Sequence, residues 1–167
     1  MITFIIGGAN SGKSSFALKL AESIEGKGAF IATAQAFDEE MSEKIKRHKE
    51  QRSNQWQTYE EPLEIANLIK QIEGRYEKII IDCLTLWLSN IIYHCHPIEQ
   101  SIEDLVSQLK RIKKPCFVVS NEVGLGIVPE NQLARKFRNY SGLMNKKVAV
   151  ISDWVYFIYA GIPIKIK

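Results

Sequence analysis

The sequence predicts an α/β fold, in which a mostly parallel sheet carries helices on both faces. Short runs rich in Ile, Val and Phe alternate with longer segments of helical periodicity along the 167 residues. The runs have few polar interruptions, as is typical of strands that are covered on both faces. A glycine-rich turn joins the first run to the first helical segment. Because strand–helix–strand units make right-handed crossovers, we expect parallel pairing of these strands.

The elements follow one another in a regular order. Apolar, β-rich composition predicts five strands: Thr3–Ile6, Ala29–Ala32, Lys78–Asp82, Cys116–Ser120 and Lys147–Ser152. Helical periodicity predicts six helices: Ser14–Ile24, Asp38–Gln51, Leu63–Glu73, Leu84–Tyr93, Ile98–Ile112 and Asn131–Asn145. Trp154–Ala160 is a further strand candidate, and the tail beyond Gly161 is expected to add an antiparallel edge strand. No repeat or linker interrupts the order, so residues 1–167 are expected to form one domain.

Composition excludes several classes of function. An apolar content of 46% and a charged content of 25% are ordinary for a globular protein. The net charge of +3 does not indicate a nucleic-acid-binding protein, which would need a concentrated basic face. The sequence contains no run of about 18 apolar residues, so no membrane span is predicted. Three scattered cysteines argue against a disulfide framework. We therefore predict a cytoplasmic protein with reduced thiols.

Residues Gly7–Ser14 read Gly-Gly-Ala-Asn-Ser-Gly-Lys-Ser and match the phosphate-loop pattern G-x-x-x-x-G-K-[ST]. The glycines allow backbone N–H groups to close around phosphate oxygens. Lys13 can reach the β- and γ-phosphates, and the Ser14 hydroxyl can bind Mg²⁺. An ordinary glycine turn would not explain why Lys and Ser follow the second glycine. The pattern therefore predicts a site for a nucleoside triphosphate.

Polar residues follow several predicted strands at their carboxyl ends, where open α/β sheets bind ligands. Asp82 ends an apolar strand, the place where phosphate-loop enzymes hold Mg²⁺. The alternative role of Asp82 is to cap the helix Leu84–Tyr93. Ala32–Gln35, Asn121–Glu122 and Asp153 follow the other strands. We expect these groups to meet the phosphate loop at one edge of the sheet.

The segment Asp38–Arg52 contains a histidine, His48, among basic residues. His48 shares a helical stripe with Met41 and Ile45, so it could simply lie at the rim of an apolar face. However, four cations surround it: Lys44, Arg47, Lys49 and Arg52. A neutral imidazole is a competent nucleophile toward phosphorus, and these cations would offset phosphate charge. The residues alone leave both interpretations open.

Two further segments contain residues that could bind a ligand. His94-Cys95-His96 is more typical of a polar loop than of a metal site, because adjacent residues rarely point at one ion. Asn121–Asn131 contains two glycines and a proline, which indicates a shaped loop. Arg135 and Arg138 follow it on neighbouring helical turns and could reach a phosphorylated ligand.

Together these motifs resemble the bifunctional adenosylcobinamide kinase / adenosylcobinamide-phosphate guanylyltransferase family of cobalamin assembly. The matching segments keep their order along the chain: Gly7–Ser14, Ile31–Met41, Arg47–Lys49, Trp56 with Thr58 and Glu60, Asp82–Asn90, Asn121–Asn131, Phe137–Arg138 and Asn145. The phosphate loop is generic, whereas Asp82–Asn90 and Asn121–Asn131 are specific to this family.

The resemblance implies a RecA-like phosphate-loop fold, often assembled as a homotrimer, and two reactions on a corrinoid substrate. ATP or GTP phosphorylates adenosylcobinamide, and GTP then guanylylates a histidine, which passes GMP to adenosylcobinamide phosphate. The family's guanylylated histidine corresponds to His48, with Lys13 the other catalytic residue. Ser14 and Asp82 would hold Mg²⁺. The implied nucleotide contacts are Gly7, Gly8, Ala9, Asn10, Ser11, Gly12, Lys13, Ser14, Ala32, Thr33, Ala34, Lys49, Glu50, Gln51, Arg52, Glu60 and Asp82.

One residue departs from the family pattern, and two rival functions share the phosphate loop. The family often has Arg where this chain has Asn10, so one cation near the phosphates is missing.

A kinase for another small alcohol or nucleoside would need Lys13, Ser14 and Asp82 but not His48. A nucleotide-binding switch or assembly subunit would bind GTP without forming a covalent GMP adduct. Formation of that adduct therefore separates the family's function from both rivals.

Overall fold

The computed structural model describes residues 1–35, 43 and 53–167. The predicted helix Asp38–Gln51 therefore lies, apart from Glu43, outside the described residues. Within them the strands are β1 (Ile2–Gly7), β2 (Gly28–Ala32), β3 (Trp56–Glu60), β4 (Lys78–Asp82), β5 (Cys116–Asn121), β6 (Trp154–Tyr159) and β7 (Ile162–Lys165). The helices are α1 (Lys13–Glu22), α2 (Ile65–Ile72), α3 (Leu84–Tyr93), α4 (Ile98–Arg111) and α5 (Gln132–Ile151).

The strands form one sheet in the order β3-β2-β4-β5-β1-β6-β7. Every neighbouring pair is parallel except β6 and β7, which are antiparallel at the C-terminal edge. The phosphate loop follows β1, which lies between β5 and β6 inside the sheet. The mostly parallel sheet with an antiparallel C-terminal edge is thus confirmed.

Alternate residues of the central strands enter two apolar clusters, one on each face of the sheet. In β4, Ile79 and Ile81 pack with α2, α3, α4 and α5, whereas Ile80 packs with α1 on the other face. All three side chains are fully buried. On the α1 side, the small residues Ala17 and Ala21 are also fully buried, which lets α1 lie close to the strands. This two-sided burial explains why the strands read as continuous apolar runs.

The predicted strand Lys147–Ser152 is wrong, because residues 147–151 form the end of the long helix α5. Met144 and Val148 are fully buried and Ser152 nearly so, at the four-residue spacing of a helix face. The Ser152 hydroxyl donates to the carbonyl oxygen of Val148 at 2.7 Å. The β-branched composition of Lys147–Ser152 indicated a strand, but burial against the sheet selected a helix.

The placement of Asp153 is wrong for the same reason. Asp153 precedes β6 rather than following a strand, so it lies at the amino end of the sheet. Its carboxylate accepts a hydrogen bond from the backbone N–H of Ile2, at the start of β1, at 2.6 Å. Asp153 therefore joins the starts of two strands and does not belong with the groups at the carboxyl edge.

The edge strand β3, Trp56–Glu60, was not predicted. It pairs with β2 over its whole length, but only Trp56 among its residues is buried. An edge strand that buries one side chain leaves a weak apolar signal in the sequence.

Candidate nucleotide site

The phosphate loop connects β1 to α1 and holds two residues in left-handed backbone conformation. Asn10 has φ 53° and Gly12 has φ 94°. Alternating conformations of this kind turn successive N–H groups toward one concavity, which suits an anion. Gly adopts such φ values freely, and Asn does so more readily than most residues. The local backbone therefore favours Asn at position 10 over a residue such as Arg.

Lys13 begins α1 and is buried, with 6% of the residue's surface exposed. Its ammonium group donates to the carbonyl oxygen of Gly8 and lies 3.5 Å from the Ser11 hydroxyl oxygen. The lysine thus folds back across the loop that precedes it. A cation held against the loop backbone can neutralise phosphate oxygens bound by the same backbone.

The close approach of β6 requires a glycine at position 7, the first residue of the loop. A Cβ atom on Gly7 would stand 2.4 Å from the backbone oxygen of Ile158 in β6 and 3.0 Å from the Ser11 hydroxyl oxygen. A Cβ atom does not approach an oxygen to 2.4 Å, so any side chain here would displace β6 or the loop. The glycine therefore allows β6 to pair beside the loop.

Three predicted contacts lie level with one another at the carboxyl edge of the sheet. Ala32, the last residue of β2, is in register with Glu60 of β3 on one side and with Asp82 of β4 on the other. Asp82 is half-buried, whereas Glu60 is exposed. Because register fixes these positions along the strands, residues far apart in sequence reach the same edge.

Thr33, just beyond β2, joins the ends of two strands. Its hydroxyl donates to the carbonyl oxygen of Cys83 at 2.7 Å and accepts from the Cys83 N–H at 2.9 Å. Its backbone N–H donates to the carbonyl oxygen of Asp82 at 3.1 Å. Thr33 is fully buried, so a structural role accompanies its predicted contact with nucleotide.

Asp82 and Lys13 both act on the thiol of Cys83. Burial is the main reason that the Cys83 pKa rises to about 11; the charge of Asp82 raises it further, and that of Lys13 lowers it. The carboxylate of Asp82 and the ammonium group of Lys13 are therefore both close enough to Cys83 for their charges to affect its pKa. Ser14, in the first turn of α1, is half-buried beside Lys13. A hydroxyl and a carboxylate are the hard oxygen donors that Mg²⁺ prefers, so these residues fit the ion.

The sequence model of the cobinamide kinase / cobinamide phosphate guanyltransferase family matches residues 3–166. The chain belongs to this family. The resemblance indicated by the motifs is thereby confirmed.

Curated relatives in the cobinamide kinase / cobinamide phosphate guanyltransferase family match the chain from end to end. The bifunctional adenosylcobalamin biosynthesis protein CobP of Pseudomonas aeruginosa is 37% identical, with 100% of this chain and 98% of that protein covered. The bifunctional adenosylcobalamin biosynthesis proteins CobU of Salmonella typhimurium and Escherichia coli are 33% and 31% identical, with both chains fully covered.

Solved structures show the fold at much lower identity. The flagellar accessory protein FlaH from Methanocaldococcus jannaschii superposes with a TM-score of 0.59 at 16% identity, covering 99% of this chain and 77% of that chain. A KaiC-like protein from Pyrococcus horikoshii gives 0.51 at 11% identity, covering 93% and 69%. These likenesses confirm the RecA-like phosphate-loop fold.

Among the described residues, no helix has the length and apolar character that a membrane crossing demands.

The family segment Asn121–Asn131 begins at a buried polar network that the sequence did not reveal. The Thr85 hydroxyl accepts from the N–H of Asn121 at 2.6 Å and lies 3.2 Å from the Ser120 hydroxyl. The Ser120 hydroxyl donates to the Asn145 side chain at 2.8 Å, and that side chain donates to the Asn121 carbonyl oxygen at 3.1 Å. Thr85 and Asn145 belong to matched family segments, and their shared role is to hold the end of β5.

The remaining predicted site residues either lie outside the described residues or contact the protein backbone. His48 and Lys49–Arg52 lie outside the described residues, so their roles stay predictions. Arg135, considered for a phosphorylated ligand, donates instead to the backbone oxygens of Pro129 and Glu130. It therefore shapes the end of the family segment that precedes α5.

Proposed function

We propose that the chain phosphorylates adenosylcobinamide with ATP or GTP and then transfers GMP from GTP to adenosylcobinamide phosphate. The products of the second reaction are adenosylcobinamide-GDP and pyrophosphate. The observation that carries this proposal is the phosphate loop with its buried lysine, in a chain that the family matches over residues 3–166. Relatives named as bifunctional proteins of adenosylcobalamin biosynthesis support it.

In the kinase reaction, the aminopropanol hydroxyl of the corrinoid attacks the γ-phosphorus, and the nucleoside diphosphate leaves. The loop N–H groups orient the phosphates, and Lys13 offsets the negative charge on the β- and γ-oxygens. Ser14 and Asp82 would hold Mg²⁺, which, when bound, neutralises charge on the same phosphates. Phosphoryl transfer relies mainly on positioning and charge neutralisation, and these residues provide both.

In the transferase reaction, an imidazole nitrogen of His48 attacks the α-phosphorus of GTP and pyrophosphate leaves. A phosphate oxygen of adenosylcobinamide phosphate then attacks the same phosphorus, and His48 is released. Division of one displacement into two is nucleophilic catalysis. Neighbouring cations among Lys49–Arg52 would stabilise the charge on the leaving pyrophosphate.

The setting of these reactions follows from their substrates. We propose that residues 1–167 work as one domain in the cytoplasm, where ATP and GTP are plentiful and thiols stay reduced. The three cysteines are free thiols in the structure, in keeping with that environment. A homotrimer is proposed from the family resemblance, because a large corrinoid suits a site between subunits. No nucleic-acid partner is proposed.

The decisive experiment is an intact-mass measurement after incubation of the protein with Mg²⁺ and GTP. We expect an increase of one GMP that is lost in acid, because a phosphorus–nitrogen bond to histidine is acid-labile. His48→Ala should show no increase but should still phosphorylate adenosylcobinamide. His94→Ala is the matched control, since His94 is an exposed histidine in the turn after α3, and it should form the adduct normally.

Lys13→Ala tests the loop in both reactions. Each rate should fall about 10²–10³-fold, the loss typical for removal of one charge-stabilising group.

An unaltered guanylyl adduct in His48→Ala would remove His48 from the mechanism. GTP binding without any adduct in the unmodified protein would favour a kinase for another alcohol or a nucleotide switch.

A further inference from the structure

The C-terminal hairpin lies directly against the phosphate loop. β6 and β7 are joined by the two-residue turn Ala160–Gly161, with φ 49° and φ 82°. Two left-handed residues are typical of the tight hairpin turn that matches strand twist. The backbone N–H of Gly161 donates to the carbonyl oxygen of Ser11 at 3.2 Å. A Cβ on Gly12 would stand 3.8 Å from the Gly161 Cα, so the turn also contacts the loop itself.

This hydrogen bond sets the direction of one loop amide. The Ser11–Gly12 peptide is trans, and in a trans peptide the C=O and N–H groups point in opposite directions. Because the Ser11 carbonyl points to the hairpin, the Gly12 N–H points away from it. Gly12 precedes Lys13, whose ammonium group crosses the loop to the Gly8 carbonyl oxygen. The N–H groups of a phosphate loop bind the phosphates, so we take the direction away from the hairpin as the phosphate side for the Gly12 N–H.

The peptides on either side are held within the loop and α1, by Ser11 N–H donating to the Gly8 carbonyl oxygen and Phe16 N–H donating to the Gly12 carbonyl oxygen, whereas the bond from Gly161 holds the Ser11–Gly12 peptide from outside. Gly12 has no side chain and tolerates φ values of either sign, so rotation of this peptide costs little. The hairpin, by contrast, is fixed at its base, since β6 pairs with β1 as far as Gly7 and Ile158. All four residues of β7 are exposed, so this strand adds little to the apolar core.

We propose that Gly161 is a positioning residue for phosphate binding: its N–H holds the Ser11–Gly12 peptide so that the Gly12 N–H faces the phosphates. The proposal rests on the nucleotide site proposed above. It assigns to the C-terminal hairpin a part in nucleotide affinity, although Gly161 itself does not touch the ligand.

Two substitutions at one position separate this role from general stability. In Gly161→Val the β-branched side chain is incompatible with φ 82°, so the turn must change and the amide must move. In Gly161→Asn the left-handed conformation and the N–H are retained. A Cβ atom at this position would meet no heavy atom within 4 Å, so the two variants differ in backbone preference rather than in a clash at Cβ. The dissociation constant of Mg²⁺–GTP should rise about 5–10-fold in the Val variant, the effect of one lost hydrogen bond, and less than twofold in the Asn variant.

The amide resonances provide a readout that a purely structural role would not change. In the unmodified protein, GTP should shift the Gly12 amide proton downfield, and the Asn variant should show the same shift. The Val variant should show a smaller shift. Since coupling is reciprocal, saturating GTP should also slow hydrogen exchange of the Gly161 amide in the unmodified protein, a measurement that needs no variant.

Three results would overturn the proposal. These are equal GTP affinity in a folded Val variant, an equal loss in both variants, or Gly161 exchange that is unchanged at saturating GTP. If the unmodified protein did not bind GTP at all, the nucleotide site itself would fail and the hairpin proposal with it. Binding by the unmodified protein therefore distinguishes the two failures.

Discussion

Replacement of Asn90 by Asp should destabilise the fold strongly, because the change is nearly isosteric but reverses the hydrogen-bonding character of one atom. Asn90 lies in α3 and is 5% exposed. Its amide nitrogen donates to the carbonyl oxygen of Thr33 at 2.8 Å and to that of Pro62 at 3.2 Å. In Asn90→Asp an oxygen replaces this nitrogen and faces two carbonyl oxygens. Both of these acceptors lose their donor.

The size of the effect follows from these contacts. Each lost hydrogen bond contributes about 1 kcal/mol net. A carboxylate buried without a partner adds further cost, so the total at pH 7 should reach about 3–5 kcal/mol. For a chain of this length, 1 kcal/mol corresponds to about 2–4 °C, so Tm should fall by about 6–20 °C. Burial raises the pKa of the introduced carboxyl in the folded state. The folded chain then binds more protons, and the penalty should shrink as the pH falls toward about 4.

Urea unfolding followed by circular dichroism at fixed protein concentration measures the loss. Asn67→Asp is the matched control, because the exposed Asn67 amide donates to the Glu64 carboxylate at 2.7 Å. There the new carboxylate meets a like charge in water, which costs only about 0.2–0.5 kcal/mol. If the two variants differed by less than 1 kcal/mol at pH 7, the assignment of the Asn90 amide to the two carbonyls would be refuted.

Three further predictions concern the loop glycine and the thiols. Gly7→Ala should cost about 1–3 kcal/mol in urea unfolding and weaken GTP binding, because the methyl group would stand 2.4 Å from a β6 carbonyl oxygen. Gly142→Ala, in α5 with open space around its Cβ, should be neutral or stabilising; an equal loss in both would contradict the steric argument. Only the exposed Cys95 should react quickly with a thiol reagent at pH 8, since Cys83 and Cys116 are buried; rapid labelling of three thiols would disprove this. Burial raises the pKa of Cys83 to about 11 and of Cys116 to about 12, above the ordinary 9.0. The folded chain thus holds more protons, so stability should fall as pH rises from 9 through 11, and less in Cys83→Ala.

Local chemistry made several parts of the fold predictable from the sequence. α3 has the predicted bounds, Leu84–Tyr93, and β4 has the predicted bounds, Lys78–Asp82. Both are strongly apolar, and each has a polar residue or a turn at its end. The phosphate loop was equally clear, because its spacing of glycines, lysine and serine reflects a local backbone requirement.

The failures lie where distant parts of the chain decide the outcome. Lys147–Ser152 is β-branched, but residues 147–151 continue α5, since Val148 falls on the helix face that already buries Met144. β3 was missed because it buries only Trp56 and therefore leaves a weak apolar signal, although it pairs with β2 along its whole length. Pairing depends on the position of the partner strand, which sequence periodicity does not contain.

The fold class, the phosphate loop and the family can be predicted from the sequence, because they depend on short-range patterns of residue type. Which polar groups share a site depends on the folded arrangement of the strands. That arrangement brought Asp82 level with Glu60 through strand register, and it moved Asp153 to the opposite end of the sheet. It also set the turn at Gly161 against Ser11, 150 residues earlier in the chain. Such contacts arise from the packing of whole elements, so no local pattern of residues encodes them.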